Sequence, residues 1–479
     1  MATGLQAQTH QWLYFNASDT VSPNHRISQL GNKGFQVMGY STWFNAVCVA
    51  MDTNPLPDFI AQSAPLPSYQ VHKSQIHQTQ ETFSYGGSDW QLKMLGLDEY
   101  HRRGFTGKGI TIGLFDAGFF KVDSLPAFDT LRKRGQILAE WDFHYNDTNV
   151  YIQDGHGMYV LSIAGGYWPD SIMGAAPDAN FLLARTEIAN REIHAEELAW
   201  VKALEWADSI GVDIIHSSLG YSLFDTLEGD YSYMDMDGQS TIITRATDSA
   251  AARGIFITNS AGNEGEKEWH HITAPCDGRH VLCVGAVDSN QVHAPFSSYG
   301  PSADGRVKPD VVAMGAGVTY VNKEGLIRTG GGTSFSGPLI AGMAACLKQA
   351  WPDATNEQLY QSIIKSADRY LNPDTAYGYG LPNVLVADSI LKEYVLSARQ
   401  PLNYSFNLFP NPGKGSVRLS GHEAIQLVRV SDGFGRPINA IYHRDLREIE
   451  FASASPGMYV IEVITTDGKK GVQSYLKLE

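Results

Sequence analysis

Ile110-Thr111-Ile112-Gly113-Leu114-Phe115-Asp116-Ala117-Gly118 joins a largely apolar run to a carboxylate and two small residues. Ile110–Phe115 reads as a buried strand, and Asp116 sits at its carboxyl end, where a carboxylate is costly unless it has partners. The same kind of run recurs at Phe181–Ala184, Val212–Ile215, Gly254–Ile257, Val281–Val287 and Val311–Met314. Between and after these runs, Glu196–Ile210, Ser240–Arg253, Gly337–Trp351 and Asn356–Ser366 carry helical patterns. Such alternation predicts an α/β fold with a doubly wound, mainly parallel sheet. Ligands in such folds bind beyond the carboxyl ends of the strands, which is where Asp116 lies.

Outward from this core, the 479-residue chain is 43% hydrophobic and 18% charged, a composition of ordered domains rather than disorder. The net charge of −15 argues against a nucleic-acid partner, whose phosphates demand cations. No apolar run approaches the ~18 residues of a membrane span. Met1 to Gln8 is short and mixed and shows no charged-then-apolar signal segment, so a secreted form is expected to have lost its signal or to start elsewhere. Four cysteines make no disulfide framework and no metal motif. Cys276 and Cys283 flank a short segment and can pair in an oxidising compartment, but the reading favours two buried free thiols.

Three regions follow from pattern. Residues 1–82 comprise a small α+β unit, from 10 to about 62, and an exposed linker over 63–82 rich in Pro, Gln, His, Ser and Thr. Residues 83–397 hold the α/β domain. Residues 402–479 read as an all-β sandwich: Tyr459, Ile461 and Val463 alternate along one strand, and Val472, Leu476 and Leu478 share one side of another. Gly433-Phe434-Gly435 and Asp467-Gly468 supply turns.

Two further polar residues stand out against apolar surroundings. His156 lies in Asp154-Gly155-His156-Gly157, just before an apolar helical start. Ser334 lies in Gly332-Thr333-Ser334-Phe335-Ser336-Gly337-Pro338, again before an apolar helical pattern. A serine there meets the unpaired N–H groups and positive dipole end of a helix, a good place to develop negative charge on a substrate oxygen. Each alone is also compatible with capping or packing. Together they supply what acyl transfer needs: a serine nucleophile, an imidazole to take its proton, and a carboxylate to orient the imidazole. Asn263, in a Gly-flanked turn after Ile255-Phe256-Ile257, either supplies turn geometry or points its amide at an oxyanion. Ser217-Ser218-Leu219-Gly220 follows a strand and can pair with an extended substrate by β-addition.

These segments resemble the subtilisin-like serine peptidases (subtilases), whose triad runs in the order Asp, His, Ser. Ile112–Gly118 is similar to the family's aspartate motif, His156-Gly157-Met158-Tyr159-Val160 to its histidine motif, and Gly332–Pro338 to its serine motif. The likeness spans roughly residues 90 to 390 and includes Gly174-Ala175-Ala176-Pro177, Phe296-Ser297-Ser298-Tyr299-Gly300 and Lys308-Pro309-Asp310. It implies Ser334 as nucleophile, His156 as general base then acid, Asp116 as its orienter, and Asn263 with the Ser334 N–H as oxyanion donors. Ser218, Leu219, Gly220 and Tyr221 would line the substrate cleft. Ser336 aligns with the family's alanine and is discounted as nucleophile. Met158-Tyr159 departs from the family's Thr-His. Tyr221 stands where the common pattern has glycine, and its ring is expected to reshape the primary specificity pocket.

No cofactor is required for this chemistry and no metal residue is assigned. Asp225, Glu228, Asp230, Asp235 and Asp237 can in principle hold a structural calcium, but an acidic solvated loop is the favoured reading. The N-terminal region, through Tyr40-Ser41-Thr42-Trp43-Phe44-Asn45-Ala46-Val47, resembles inhibitor-type propeptides. Residues 402–479, with Pro410-Asn411-Pro412 and Ser455-Pro456-Gly457-Met458-Tyr459, resemble the C-terminal sorting domain of type IX secretion substrates in Bacteroidota. The function expected is a secreted serine endopeptidase made as a self-processed zymogen, acting on protein or peptide substrates at or beyond the cell surface. The alternatives are a catalytically silent surface binding protein of the same fold, or an esterase using the same triad.

Overall fold

The central sheet has seven strands, all parallel, in the order Val311–Met314, Val281–Val287, Phe256–Ser260, Ile214–Ser217, Thr111–Asp116, Asn180–Arg185 and Ile137–Asp142. The structure, a computed structural model, describes residues 10–15, 22–32, 36–41, 43, 46–50, 60–61, 83–398 and 404–478. Within these, 153, 190, 226–227, 422, 433–437, 439, 452–454 and 467–468 are outside the description. The expected linker at 63–82 and the turns at Gly433-Phe434-Gly435 and Asp467-Gly468 lie outside the described residues.

Every residue of Thr111–Asp116 and Val281–Val287 is buried, as a parallel sheet covered on both faces requires. Successive strand residues point to opposite faces. Phe115, Ile215 and Ile257 join a core with Trp200, Leu204 and Ile243 from the helices His194–Ile210 and Ile242–Ala252. His216, one residue on from Ile215, instead meets Gly337 of the helix Thr333–Ala350. That helix therefore covers the other face, packed beside His156–Ala164. Residues Thr333 to Leu347 are all buried, and an all-round apolar helix of this kind belongs in the middle of a protein. The edge strand Ile137–Asp142 was not anticipated: its residues are mostly half-buried, and Glu140 cuts its apolar run to Ile137-Leu138-Ala139.

The chain divides into two compact units, Met1–Glu393 and Tyr394–Glu479. Within the first, the N-terminal residues form a four-stranded sheet, order Gln36–Ser41, Ala46–Ala50, His10–Phe15, Ile60–Ala61, with the helix Pro23–Asn32. Leu13, Leu30, Val47 and Val49 make its core. Ala46 packs into the Trp200 cluster, and Glu205 accepts hydrogen bonds from Ser41 Oγ (2.5 Å) and the Trp43 N–H (3.2 Å).

The second unit has two four-stranded sheets around Phe406, Ile449, Phe451, Ile461, Val463 and Tyr475. Tyr459, Ile461 and Val463 alternate inward as expected. Leu476 and Leu478 do share a face, but it is the exposed one; the core side of that strand belongs to Tyr475, which packs on Phe451. The bulk of the tyrosine ring outweighs the count of leucines.

Cys276 and Cys283 are disulfide-bonded, with Cα atoms 5.0 Å apart, which corrects the free-thiol reading. Two consecutive turns, Cys276 N–H to Thr273 O and Gly278 N–H to Pro275 O, fold the loop back over the strand bearing Cys283. Cys346 is free and buried. Among the described residues no helix is long and apolar enough to cross a membrane.

Candidate active site

Asp116 ends its strand fully buried. Its Oδ1 accepts from the Ala117 N–H and from His156 Nδ1, both at 2.7 Å. His156 opens its helix, with its N–H donating to Asp154 Oδ1 at 2.7 Å. Gly157 permits this approach: a β-carbon there would lie 2.7 Å from the Gly118 carbonyl and 2.9 Å from Asp116 Cβ. A third of the His156 side chain faces solvent. Burial opposes its protonation, but the charge and hydrogen bond of Asp116 outweigh this and raise the imidazole above its ordinary 6.5.

Ser334 is the second residue of its helix and 7% exposed. Proline at 338 has no N–H to give the carbonyl of Ser334 four residues earlier. Ser218 Oγ donates to that carbonyl instead, at 3.3 Å. Ser260 Oγ likewise donates to the Thr333 carbonyl at 2.9 Å. The nucleophile-bearing turn is thus tied to the ends of two sheet strands. Ser334 Oγ itself is turned to the Ser218 carbonyl at 3.4 Å, not to His156; this is a long, weak bond. Ser336 Oγ is buried and donates back to Thr333 O at 2.9 Å, which leaves it no access to a substrate.

Beneath this turn lies a second histidine. His216 is buried, with Nδ1 on Thr258 Oγ1 and Nε2 on Ser218 Oγ, each 2.9 Å. Burial pushes it down to about 3, so it stays neutral. The sequence reading passed over it, although a histidine inside the apolar strand Ile214–Ser217 was a signal.

Asn263 is oriented by its oxygen. Oδ1 accepts from the Thr333 N–H at 2.9 Å and from Thr333 Oγ1 at 3.1 Å, which turns Nδ2 away from Thr333 as an available donor. Ser218, Leu219, Gly220, Asn263 and Ser334 line one cavity of about 140 Å³. Tyr221 does not line it, correcting the expected role of its ring. The side chain is fully buried and its hydroxyl donates to Glu187 Oε1 at 2.7 Å. Tyr221 and Ala274 exchange backbone hydrogen bonds of 2.8 and 3.1 Å, so the residue fixes the strand rather than touching the cavity. Burial pushes Glu187 up to about 8 despite that tyrosine bond.

The loop carboxylates serve local structure. Asp230 accepts from the Phe224 N–H, Asp235 from Ser232, and Asp237 from the Gln239 and Ser240 N–H groups. Among the described residues no group of three or more ligands could hold a metal.

The profile of the Subtilase family matches residues 107–380. Subtilisin NAT of Bacillus subtilis subsp. natto is 28% identical over 363 residues, 75% of this chain and 84% of that protein. Serine protease AprX of Bacillus subtilis (strain 168) is 27% identical over 310 residues, 58% of this chain and 66% of that protein. Among solved structures, MycP1 from Mycobacterium smegmatis is 21% identical, with a TM-score of 0.48 over 65% of this chain and 89% of that one. The chain belongs to the subtilase family. It is a serine endopeptidase, and its substrates are peptides.

Proposed function

We propose that Ser334, His156 and Asp116 form the catalytic triad and that Asn263 Nδ2 and the Ser334 N–H form the oxyanion hole. The Asp116–His156 hydrogen bond carries this reading: a buried carboxylate holds one imidazole nitrogen and leaves the other to serve the hydroxyl. Ser334 Oγ attacks the scissile carbonyl while His156 Nε2 takes its proton. The carbonyl oxygen, now negative, moves toward Asn263 Nδ2 and the helix N-terminus. His156 then returns the proton to the departing amine, and water repeats the sequence on the acyl-enzyme. Ser218-Leu219-Gly220 holds the substrate backbone as an added strand. No step calls for a cofactor.

The N-terminal sheet acts as an intramolecular inhibitor removed by self-processing. Its seat on Glu205 and the Trp200 cluster supports this reading. The C-terminal unit serves export through the type IX machinery and the enzyme works outside the cell, a reading that rests on the Pro410-Asn411-Pro412 pattern and its successors. Intact-mass and N-terminal analysis of wild type beside Ser334→Ala tests the zymogen: wild type loses residues up to a cut within 63–90, and the variant stays whole. A purified Ser334→Ala protein still cut in that segment would sink self-processing.

A further inference from the structure

His216 takes no part in the acyl transfer proposed for Ser334, yet the fold is built around its ring. Thr258 faces it from the next parallel strand, where the two residues are in register. On the other side, the helix of Ser334 makes room with Gly337: a β-carbon there would lie 2.3 Å from His216 Cε1 and 2.9 Å from Nε2. His216 Nδ1 lies 2.9 Å from Thr258 Oγ1, and Nε2 lies 2.9 Å from Ser218 Oγ.

A neutral imidazole donates from one nitrogen and accepts at the other, and burial keeps this ring neutral. Each neighbouring hydroxyl has one proton to place. The Ser334 carbonyl receives no N–H from position 338, because that residue is proline. The Ser218 hydroxyl, 3.3 Å away, replaces it. Ser260 Oγ cannot stand in, since its proton goes to the Thr333 carbonyl at 2.9 Å. With the ring proton on Nδ1, Nε2 would draw the Ser218 hydroxyl to itself and strand the Ser334 carbonyl, which is unfavourable. With the proton on Nε2, every partner is served. Thr258 then donates to Nδ1, Nε2–H donates to Ser218 Oγ, and Ser218 donates to the Ser334 carbonyl.

Resting on the assignment of Ser334 as nucleophile, we propose that His216 is a positioning residue: as the Nε2–H tautomer it turns the Ser218 hydroxyl onto the Ser334 carbonyl and so holds the turn that carries the nucleophile. Ser260 holds the Thr333 carbonyl on the other side of Ser334. Both peptide units flanking the Ser334 α-carbon are therefore tied to the ends of sheet strands, which fixes where Oγ and the Ser334 N–H stand. The ring itself does not line the cavity and acts only through Ser218.

Histidine-selective isotope labelling of the full chain with nitrogen NMR tests the tautomer. The His216 signal, assigned by its loss in His216→Gln, should be that of a neutral ring protonated on Nε2. A ring protonated on Nδ1, or a charged one, overturns the proposal. Kinetics test the consequence. His216→Leu, which removes both nitrogens, should lower kcat by about 10–100-fold with KM little changed. His216→Gln, whose amide can still donate to Ser218, should regain most of that loss. Ser218→Ala should lower kcat on the same scale, and the double variant should lose no more than the worse single one. A loss in KM alone, no rescue by glutamine, or losses that multiply would overturn the proposal. Should His216→Leu fail to fold, an Nδ1–H signal in wild type or an unchanged kcat in Ser218→Ala still overturns it. Fluorophosphonate labelling separates this from the catalytic reading. Labelling of Ser334 at a rate unchanged by His216→Leu refutes only the positioning role, whereas wild type that does not label refutes the triad.

Discussion

In the proposed triad, the imidazole of His156 is where residue chemistry decides the rate. Asp116 raises its proton affinity against the opposing effect of burial. Only the neutral ring can accept the Ser334 proton, so kcat/KM should be low in acid and rise through a pKa above 6.5. In Asp116→Asn the raising partner is gone while burial remains, so the inflection should move down, with kcat lower by about 10⁴. A pH–rate profile with its inflection unmoved would contradict the pairing. Asn263→Ala should cost about 10²–10³ in kcat with little change in KM, the scale found for subtilisin's own oxyanion asparagine. A steady-state comparison showing the loss in KM alone would instead mark Asn263 as a ground-state contact. Asp116 and His156, which share a hydrogen bond, stand out in the sequence as polar residues at the ends of apolar runs, whereas the role proposed for Ser334 rests on the likeness to the family's serine motif. Tyr221 was read at the right place in the chain but with the wrong direction, since Glu187 draws its hydroxyl into the core.

Elements sit where they do because a few buried polar groups fix their ends. Lys308 and Asp310 are both 2% exposed and pair at 2.7 Å; Lys308 also donates to the Val281 carbonyl, and Asp310 accepts from the Cys283 N–H and the Tyr360 hydroxyl. The pair ties the entry to strand Val311–Met314 to the neighbouring strand. Lys308→Met leaves Asp310 as a buried charge without its cation, a loss of about 3–5 kcal/mol. Urea denaturation should show a lower midpoint with an unchanged slope; an unshifted midpoint would mean the pair contributes nothing. The buried parallel strands were readable because continuous apolar runs admit few other fates in an alternating chain. The edge strand Ile137–Asp142 and the Cys276–Cys283 bond were not, because one depends on a neighbour's pairing and the other on two turns.

At the scale of the whole molecule, the carboxyl ends of adjacent parallel strands gather Asp116, Ser217-Ser218 and Asn259-Ser260 along one edge of the sheet. Two helices begin at that edge, one with His156 and one with Thr333-Ser334. Residues more than 100 positions apart, Ser218 and Ser334, thereby line one cavity. The central claim is that Ser334, not its neighbour Ser336, is the nucleophile. Labelling the full chain with a fluorophosphonate and mapping the adduct by peptide mass spectrometry tests it most directly. A single adduct on Ser334, full labelling of Ser336→Ala and none of Ser334→Ala are expected. An adduct on Ser336, or labelling that survives Ser334→Ala, would contradict it.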